Sequence, residues 1–444
     1  MASKKTIWGW VMYDWANSAF ATTVMAGFFP IFFKQYWSYG VDVNMSTAQL
    51  GFGNSVASLL VALMAPFIGA IADKGSAKKK FLIFFAYLGV LMTAGLLIVH
   101  KGQWAMAIFV YVMGVIGFSG ANVFYDAILP AITTEDRIDY VSSLGFSMGY
   151  LGGGLLFLIN VLMTLIPQTF GLPDAVAAVR FSFLTVAIWW GLFTIFTIAW
   201  VPEDTSAATV KRGESIVTAG IRQLVNTFKK VRHLKTVFLF LLAYWFYIDG
   251  VDTIIRMAVD YGLSLGFEPN DLIVALLLVQ FVGFPAALMF GKLGERWGVR
   301  KAIYLAIGIY MCITVGGTMI TRKEEFFVLA ALIGLVQGGI QALSRSYYSR
   351  LIPKNQTAEY YGFYNMLGKF AAILGPVLMG IVGLIVRRML MPPSPTAEQL
   401  ISIGQVASRW SMGSILILFI VGLVLFYFVD EQKGKAQARY LSNS

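Results

Sequence analysis

Apolar stretches of about 20 residues recur between short polar breaks from Trp8 to Phe428, each long enough to cross a ~30 Å hydrocarbon core as a helix. A helix is suited to that setting because it satisfies its own backbone hydrogen bonds. The pattern predicts an all-α membrane protein of twelve transmembrane helices, near 8–36, 48–72, 81–99, 104–130, 140–165, 181–201, 235–262, 271–291, 301–320, 326–351, 360–386 and 407–429. An even number of spans puts both chain ends on one side. Lys4 and Lys5 precede a long first span with no small-residue cleavage site after a short apolar core, so that span is expected to stay as a helix.

The polar breaks carry an internal repeat. After the second span the chain reads Gly69-Ala-Ile-Ala-Asp73-Lys74-Gly-Ser-Ala-Lys78-Lys79, and after the eighth Gly291-Lys-Leu-Gly-Glu295-Arg296-Trp-Gly-Val-Arg300-Lys301, at a constant offset of 222. Asn122, Phe124-Tyr125 and Ile128-Leu129-Pro130 are echoed by Arg345, Tyr347-Tyr348 and Leu351-Ile352-Pro353, with Asn122 to Arg345 and Pro130 to Pro353 offset by 223. Two segments in the same order at nearly one offset argue for a six-plus-six duplication. The organisation this predicts is an N-terminal six-helix bundle over 1–201, a linker over 202–234 and a C-terminal bundle with a short tail over 235–444. Within the linker, Ile216, Val217, Ile221, Leu224, Val225, Phe228 and Val231 recur at helical spacing, which predicts an amphipathic helix on the membrane surface.

Composition agrees with the pattern. Of 444 residues, 58% are hydrophobic and 13% charged, against about 25% charged in a soluble domain. The formal net charge of +11 would suit nucleic acid if it were spread over a soluble surface. Instead, 23 of the 34 Lys and Arg fall in the tails and in the loops on the side of the termini. That excess predicts cytoplasmic termini and a basic face toward an anionic leaflet, with no nucleic-acid partner. The single cysteine, Cys312, and the two histidines, His100 and His233, offer neither a disulfide nor a set of metal ligands. There is no Gly-x-x-x-x-Gly-Lys-Ser/Thr loop for a nucleotide, so an ATP-driven pump and any cofactor are not expected.

Ionisable residues inside the spans are the candidates for function, because each costs at least ~2.5 kcal/mol on insertion scales. They lie on the first, fourth, seventh, tenth and eleventh spans and are absent from the third, sixth and ninth. Asp14, Asn17, Ser18, Ala21 and Met25 form one helical stripe, with Asp14 a candidate proton site. Asp249, Asp252 and Arg256 stand at i, i+3 and i+7, leaving one acid in excess for a proton or a substrate ammonium unless Arg345 or Lys369 neutralises it. Gln337, Gln341 and Arg345 make a stripe on the tenth span, and Lys369 lies near the middle of the eleventh with Asn365 a turn earlier. Buried Arg and Lys suit a carboxylate or phosphate, and opposing acids would complete a zwitterion site; mutual neutralisation between the halves is the other reading. Gly145, Gly149 and Gly153 step by four and predict close helix contact.

The paired Gly-x-x-x-Asp/Glu-Lys/Arg loops resemble the signature of the major facilitator superfamily. Tyr13-Asp14-Trp15-Ala16-Asn17-Ser18-Ala19-Phe20, Tyr125-Asp126-Ala127-Ile128-Leu129-Pro130 and Gly149-Tyr150-Leu151-Gly152-Gly153-Gly154 further resemble the autophagy-related vacuolar amino-acid exporter family and its bacterial relatives. The resemblance implies a rocker-switch secondary transporter whose first, fourth, seventh and tenth helices line the cavity, and its fungal members suggest amino-acid export. It also implies gating loops at Gly69, Asp73 and Lys74 and at Gly291, Glu295 and Arg296, with Asp73 and Glu295 as the acidic latches. Ser76 and Ala77 stand where Gly and Arg are usual, which predicts a weaker first latch.

The function expected is secondary active transport of a small polar solute, an amino acid or related zwitterion, coupled to protons, with Asn122 among the solute contacts. The alternatives are export of drugs, lipids or organic anions, and a sensor that keeps the fold without moving a solute. Gly375-Pro376 in the eleventh span, where drug–proton antiporters carry such a pair in the fifth, counts against the drug reading. An intramembrane enzyme is not expected, since Asp249 and Asp252 lie on one helix and no His lies at membrane depth. The protein is expected to be a monomer in a bacterial plasma membrane.

Overall fold

The computed structural model describes residues 3–41, 43–203, 235–394 and 396–443, with the single positions 218, 222 and 225. Among these residues eleven helices are long and apolar enough to cross a membrane, and the 34-residue Thr357–Leu390 stands between the tenth of them and the last. The first six are α1 (Lys4–Trp37), α2 (Val43–Gly75), α3 (Lys78–Ile98), α4 (Trp104–Ile132), α5 (Ile138–Leu165) and α6 (Ala175–Trp200). The last six are α7 (Lys235–Ser264), α8 (Pro269–Trp297), α9 (Val299–Met319), α10 (Lys323–Ser349), α11 (Thr357–Leu390) and α12 (Ala397–Tyr427). A short helix, α13 (Glu431–Asn443), follows. Of the predicted linker helix only Thr218, Arg222 and Val225 are described, each helical and exposed, and the rest lies outside the described residues.

Capping chemistry marks some helix starts that hydropathy does not. Asp174 accepts the Ala177 N–H at 2.7 Å and starts α6. Thr396 and Gln399 form a reciprocal capping box that starts α12, ten residues before the predicted 407. The intervening Glu398, Gln399, Ser402 and Gln405 hide that start from an apolar pattern, although the box satisfies two otherwise orphaned N–H groups. In α1, Phe29 donates to the Val24 carbonyl and Ser38 to that of Phe33. These i to i−5 bonds are π-helical turns over Phe20–Phe28 and Phe33–Trp37, a form frequent at functional sites.

Helix packing reproduces the sequence repeat. In the first half α1 packs on α5 and α6, α4 on α2 and α3, and α3 on α6; in the second, α7 packs on α11 and α12, α10 on α8 and α9, and α9 on α12. Two seams join the halves, α2 against α11 and α5 against α8, and the same six-helix shift exchanges them. The shift also relates the tight turns: Ser76 has φ +47° and Gly298, 222 residues later, φ +89°. A non-glycine residue there is held against a cost on the order of 1 kcal/mol. Both chain ends lie on one face, called here the tail side, where α13 meets the start of α7 and Gly434 meets Leu351.

Glycine sets the closeness of the seams. A Cβ on Gly69 would lie 2.3 Å from the Ala358 carbonyl oxygen, and one on the equivalent Gly291 would lie 2.7 Å from the Ser143 Cβ. Gly69→Ala is therefore expected to force α2 and α11 apart at their tail-side ends, at about 1–3 kcal/mol of overpacking. Distance measurements between spin labels across that seam should show a longer mean separation; an unchanged distribution would show that the backbone absorbs the methyl group.

Candidate functional site

Helix spacing assembles the charged cluster from both halves. On α1, Asp14 and Asn17 are nearly one turn apart, and both are buried. On α4, Asn122 and Asp126 lie one turn apart, so Asn17 Nδ2 can donate to Asn122 Oδ1 at 2.7 Å. Tyr125 donates its hydroxyl to Asp14 Oδ2 at 3.0 Å. Its ring stacks on Trp10 with centroids 4.2 Å apart, and its carbonyl accepts the Trp10 indole N–H at 2.8 Å.

Arg345, carried on α10 in the other half, fills the space between these groups. Its Nη1 lies 3.1 Å from Asp126 Oδ1 and 4.0 Å from Asp14 Oδ2. Its Nε donates to Ser142 Oγ at 2.9 Å and its Nη2 to the Ser142 carbonyl at 2.8 Å, both on α5. The guanidinium also lies 4.9 Å from the Trp10 ring centre, 5.2 Å from Tyr125 and 4.5 Å from Phe146. Arg345 is 3% exposed, so the attraction acts with little water to screen it. Asn365 on α11 donates to the second Asp126 oxygen at 3.2 Å. The cluster thus joins α1, α4 and α5 to α10 and α11, and sets two carboxylates around one guanidinium.

The first gating loop is docked closer to the tail side. Asp73 is 2% exposed and accepts the backbone N–H groups of Ala358 and Glu359 at 3.2 and 2.8 Å. These belong to the first turn of α11, where N–H groups lack helical partners and the helix dipole favours an anion. Lys78 lies 3.3 Å from Asp73 and donates to Thr357 at 2.8 Å, while Thr357 donates to the Ala127 carbonyl at 2.9 Å. Lys74 is half-buried. At the second loop Gly291 packs on α5, but Glu295 and Arg296 are exposed. The geometry therefore reverses the expected asymmetry. The acid at the second seam is Asp139 in the first turn of α5, which accepts Ser346 at 2.6 Å and pairs with Arg350 at 2.8 Å. At this seam the buried acid therefore comes from the start of α5 and not from the loop after α8.

A third layer lies at the surface. Lys435 of α13 pairs with Glu135 of the α4–α5 loop at 2.7 Å and with Glu431 at 3.0 Å, and Arg350 donates to the Glu135 carbonyl. The hydrogen bond from Lys435 holds the Glu135 carboxyl below its ordinary value. All of these cross-bundle contacts lie between the level of Ser147, whose hydroxyl donates to the Phe284 carbonyl, and the tail side. The tail side is therefore closed.

The seventh-span residues do not share one environment. Asp249 is fully buried against α11, where Oδ1 accepts the Gly375 N–H at 2.8 Å and the Thr253 hydroxyl at 3.1 Å. Its Oδ2 has no partner among the described residues. Asp252 is half-buried and Arg256 exposed. Arg345 pairs with Asp126 and Asp14, whereas the hydrogen bonds of Asp249 go to Gly375 and Thr253. The side chain of Lys369 lies outside the described residues. Sequence reasoning passed over Asp126, Ser142 and Asp139 as site residues. The available signal was Asp126 inside the fourth-span segment that carries the resemblance.

Comparison with known proteins bears on the whole chain. The family model described as "Vacuole effluxer Atg22 like" matches residues 2–49, 38–139 and 134–386. The uncharacterized MFS-type transporter YxiO of Bacillus subtilis (strain 168) is 40% identical, over 95% of this chain and 94% of its own. Autophagy-related protein 22 of Kluyveromyces lactis is 22% identical, over 99% and 96%. Among solved structures, the proton:xylose symporter XylE superposes with a TM-score of 0.68 at 14% identity, covering 97% of this chain and 96% of that one. The human organic anion transporter MFSD10 superposes with 0.67 at 12%, covering 95% and 99%. At those identities the structures share the fold alone.

Proposed function

The chain belongs to the Atg22-like family of major facilitator transporters, and from that premise we propose that it moves a small polar solute, an amino acid or related zwitterion, by alternating access coupled to protons. One observation carries the reading: two carboxylates, Asp14 and Asp126, share the single guanidinium of Arg345 at the junction of the halves. An acid in excess of its counter-charge inside a membrane favours taking up a proton or meeting a cationic group of the solute. Asp14 is the proton site in this proposal, because Asp126 holds the closer ion pair. Asn17 and Asn122 present amide groups beside it, and Asp252, Arg256 and Lys369 supply the remaining solute contacts. Asp249, with one oxygen unpaired among the described residues, is a second candidate for a proton. The tail side is the cytoplasmic side of a bacterial plasma membrane in this reading, as the excess of Lys and Arg in its loops supports.

The test is uptake into proteoliposomes across a panel of amino acids, with and without a pH gradient. Asp14→Asn is expected to reduce gradient-driven accumulation at least about tenfold, as loss of one coupled charge would, while solute counterflow persists. A gradient response equal to that of the unaltered protein would remove Asp14 from the coupling step.

A further inference from the structure

On the outer surface of the first half, Lys5, Trp8, Met12, Phe196 and Trp200 line a groove of about 450 Å³. It lies where α1 and α6 end at the tail side, on the opposite face of α1 from Asp14 and Asn17. The walls are firm: Gly9 is buried, a Cβ there would lie 2.7 Å from the Trp200 Cβ, and Thr197 donates to the Gly9 carbonyl at 2.7 Å. Phe196 and Trp200 pack with ring centroids 4.8 Å apart. Trp8 is 43% exposed.

Lys5 is the one charged residue in the lining. Its Nζ stands 5.7 Å from the Trp200 ring centre, the first turn of α1 holds no acidic residue, and among the described residues no carboxylate pairs with it. We propose that this groove binds one anionic phospholipid, its acyl chain against Trp8, Met12, Phe196 and Trp200 and its phosphate at Lys5. A wall of Trp, Met and Phe with no acceptor for a backbone N–H suits an acyl chain better than a peptide, whose N–H groups would be left unpaired there. The single ammonium at the mouth of the groove supplies the charge match, and Trp at a helix end marks the level of the headgroups.

Native mass spectrometry of the full chain, titrated with phosphatidylglycerol or phosphatidylcholine, tests the assignment. The first phosphatidylglycerol is expected to bind about fivefold more tightly than phosphatidylcholine, the contribution of one Lys near a membrane surface. Lys5→Gln should abolish the preference, Lys5→Arg should retain it, and Trp8→Ala should weaken binding of both lipids. Lys4→Gln, outside the groove, should leave the preference in place. Equal affinity for the two lipids, or a preference that survives Lys5→Gln, overturns the proposal. So does a dimer that Lys5→Gln dissolves, which would give the groove to a second copy of the chain.

Discussion

Replacing Arg345 with Met is expected to shift the tail side from closed toward open by roughly two to three and a half powers of ten, since removing one partner of a buried ion pair costs about 3–5 kcal/mol and about 1.4 kcal/mol is a factor of ten. The loss falls on the closed form alone. There Asp126 and Asp14 would face each other with no cation between them, and Ser142 would lose two donors. Once the tail side opens, water reaches the same carboxylates and the penalty lapses. Spin-label distances between the α4–α5 loop and the α8–α9 turn should lengthen, and the double variant Arg345→Met with Asp126→Asn should recover part of the closed population by removing the orphaned charge. If the double variant opens as far as the single one, charge pairing is not what holds the seam at this level.

The second large effect separates the two gating loops. Asp73→Asn would remove the carboxylate 3.3 Å from Lys78, which is buried at 3% exposure, and would weaken the hydrogen bonds to Ala358 and Glu359. A shift toward the open form of about 3 kcal/mol is expected, the lower end for a broken buried pair. Glu295→Gln at the equivalent position is exposed and should change the equilibrium by less than ~0.5 kcal/mol. Tail-side accessibility of a cysteine placed in the α10–α11 loop to a membrane-impermeant maleimide would report both. Comparable labelling of the two variants would mean that the loops act alike despite their different surroundings.

Much of this architecture was legible in the chain because lipid makes its demands locally. Every span must be apolar and helical, so hydropathy finds it, and a duplication leaves a constant offset wherever a tight turn needs particular residues. Asp14 and Arg345 stood out for the same reason, being charges where charge is unfavourable. Asp126 did not, because it lies four residues before Pro130 and close to the predicted end of its span, where an acid needs no explanation. Its importance comes from a partner 219 residues away, and no periodicity carries that distance. Asp249 shows the converse limit. Spacing on α7 tells which residues share a side of the helix, but packing decides which neighbour that side meets, and α11 offered the Gly375 N–H. The asymmetry of the latches was hidden in the same way, since the buried acid at the second seam belongs to α5 while Glu295 is exposed.

The three glycines of α5 have a mechanical meaning. A Cβ on Gly145 would lie 3.0 Å from Asp14 Oδ2, one on Gly149 2.6 Å from Ser18 Oγ, and one on Gly153 2.9 Å from Thr22 Oγ1. With no side chains to act as a cushion, α1 and α5 mesh closely over two helical turns, so a displacement of one is expected to press directly on the other. Ser142 and Asp139, which grip Arg345, Ser346 and Arg350, ride on that same α5. A change of charge on α1 therefore needs no relay of side chains to be felt at the gate. The two helices are placed to move as one body, with Asp14 against Gly145 and the seam residues Ser142 and Asp139 on the same α5.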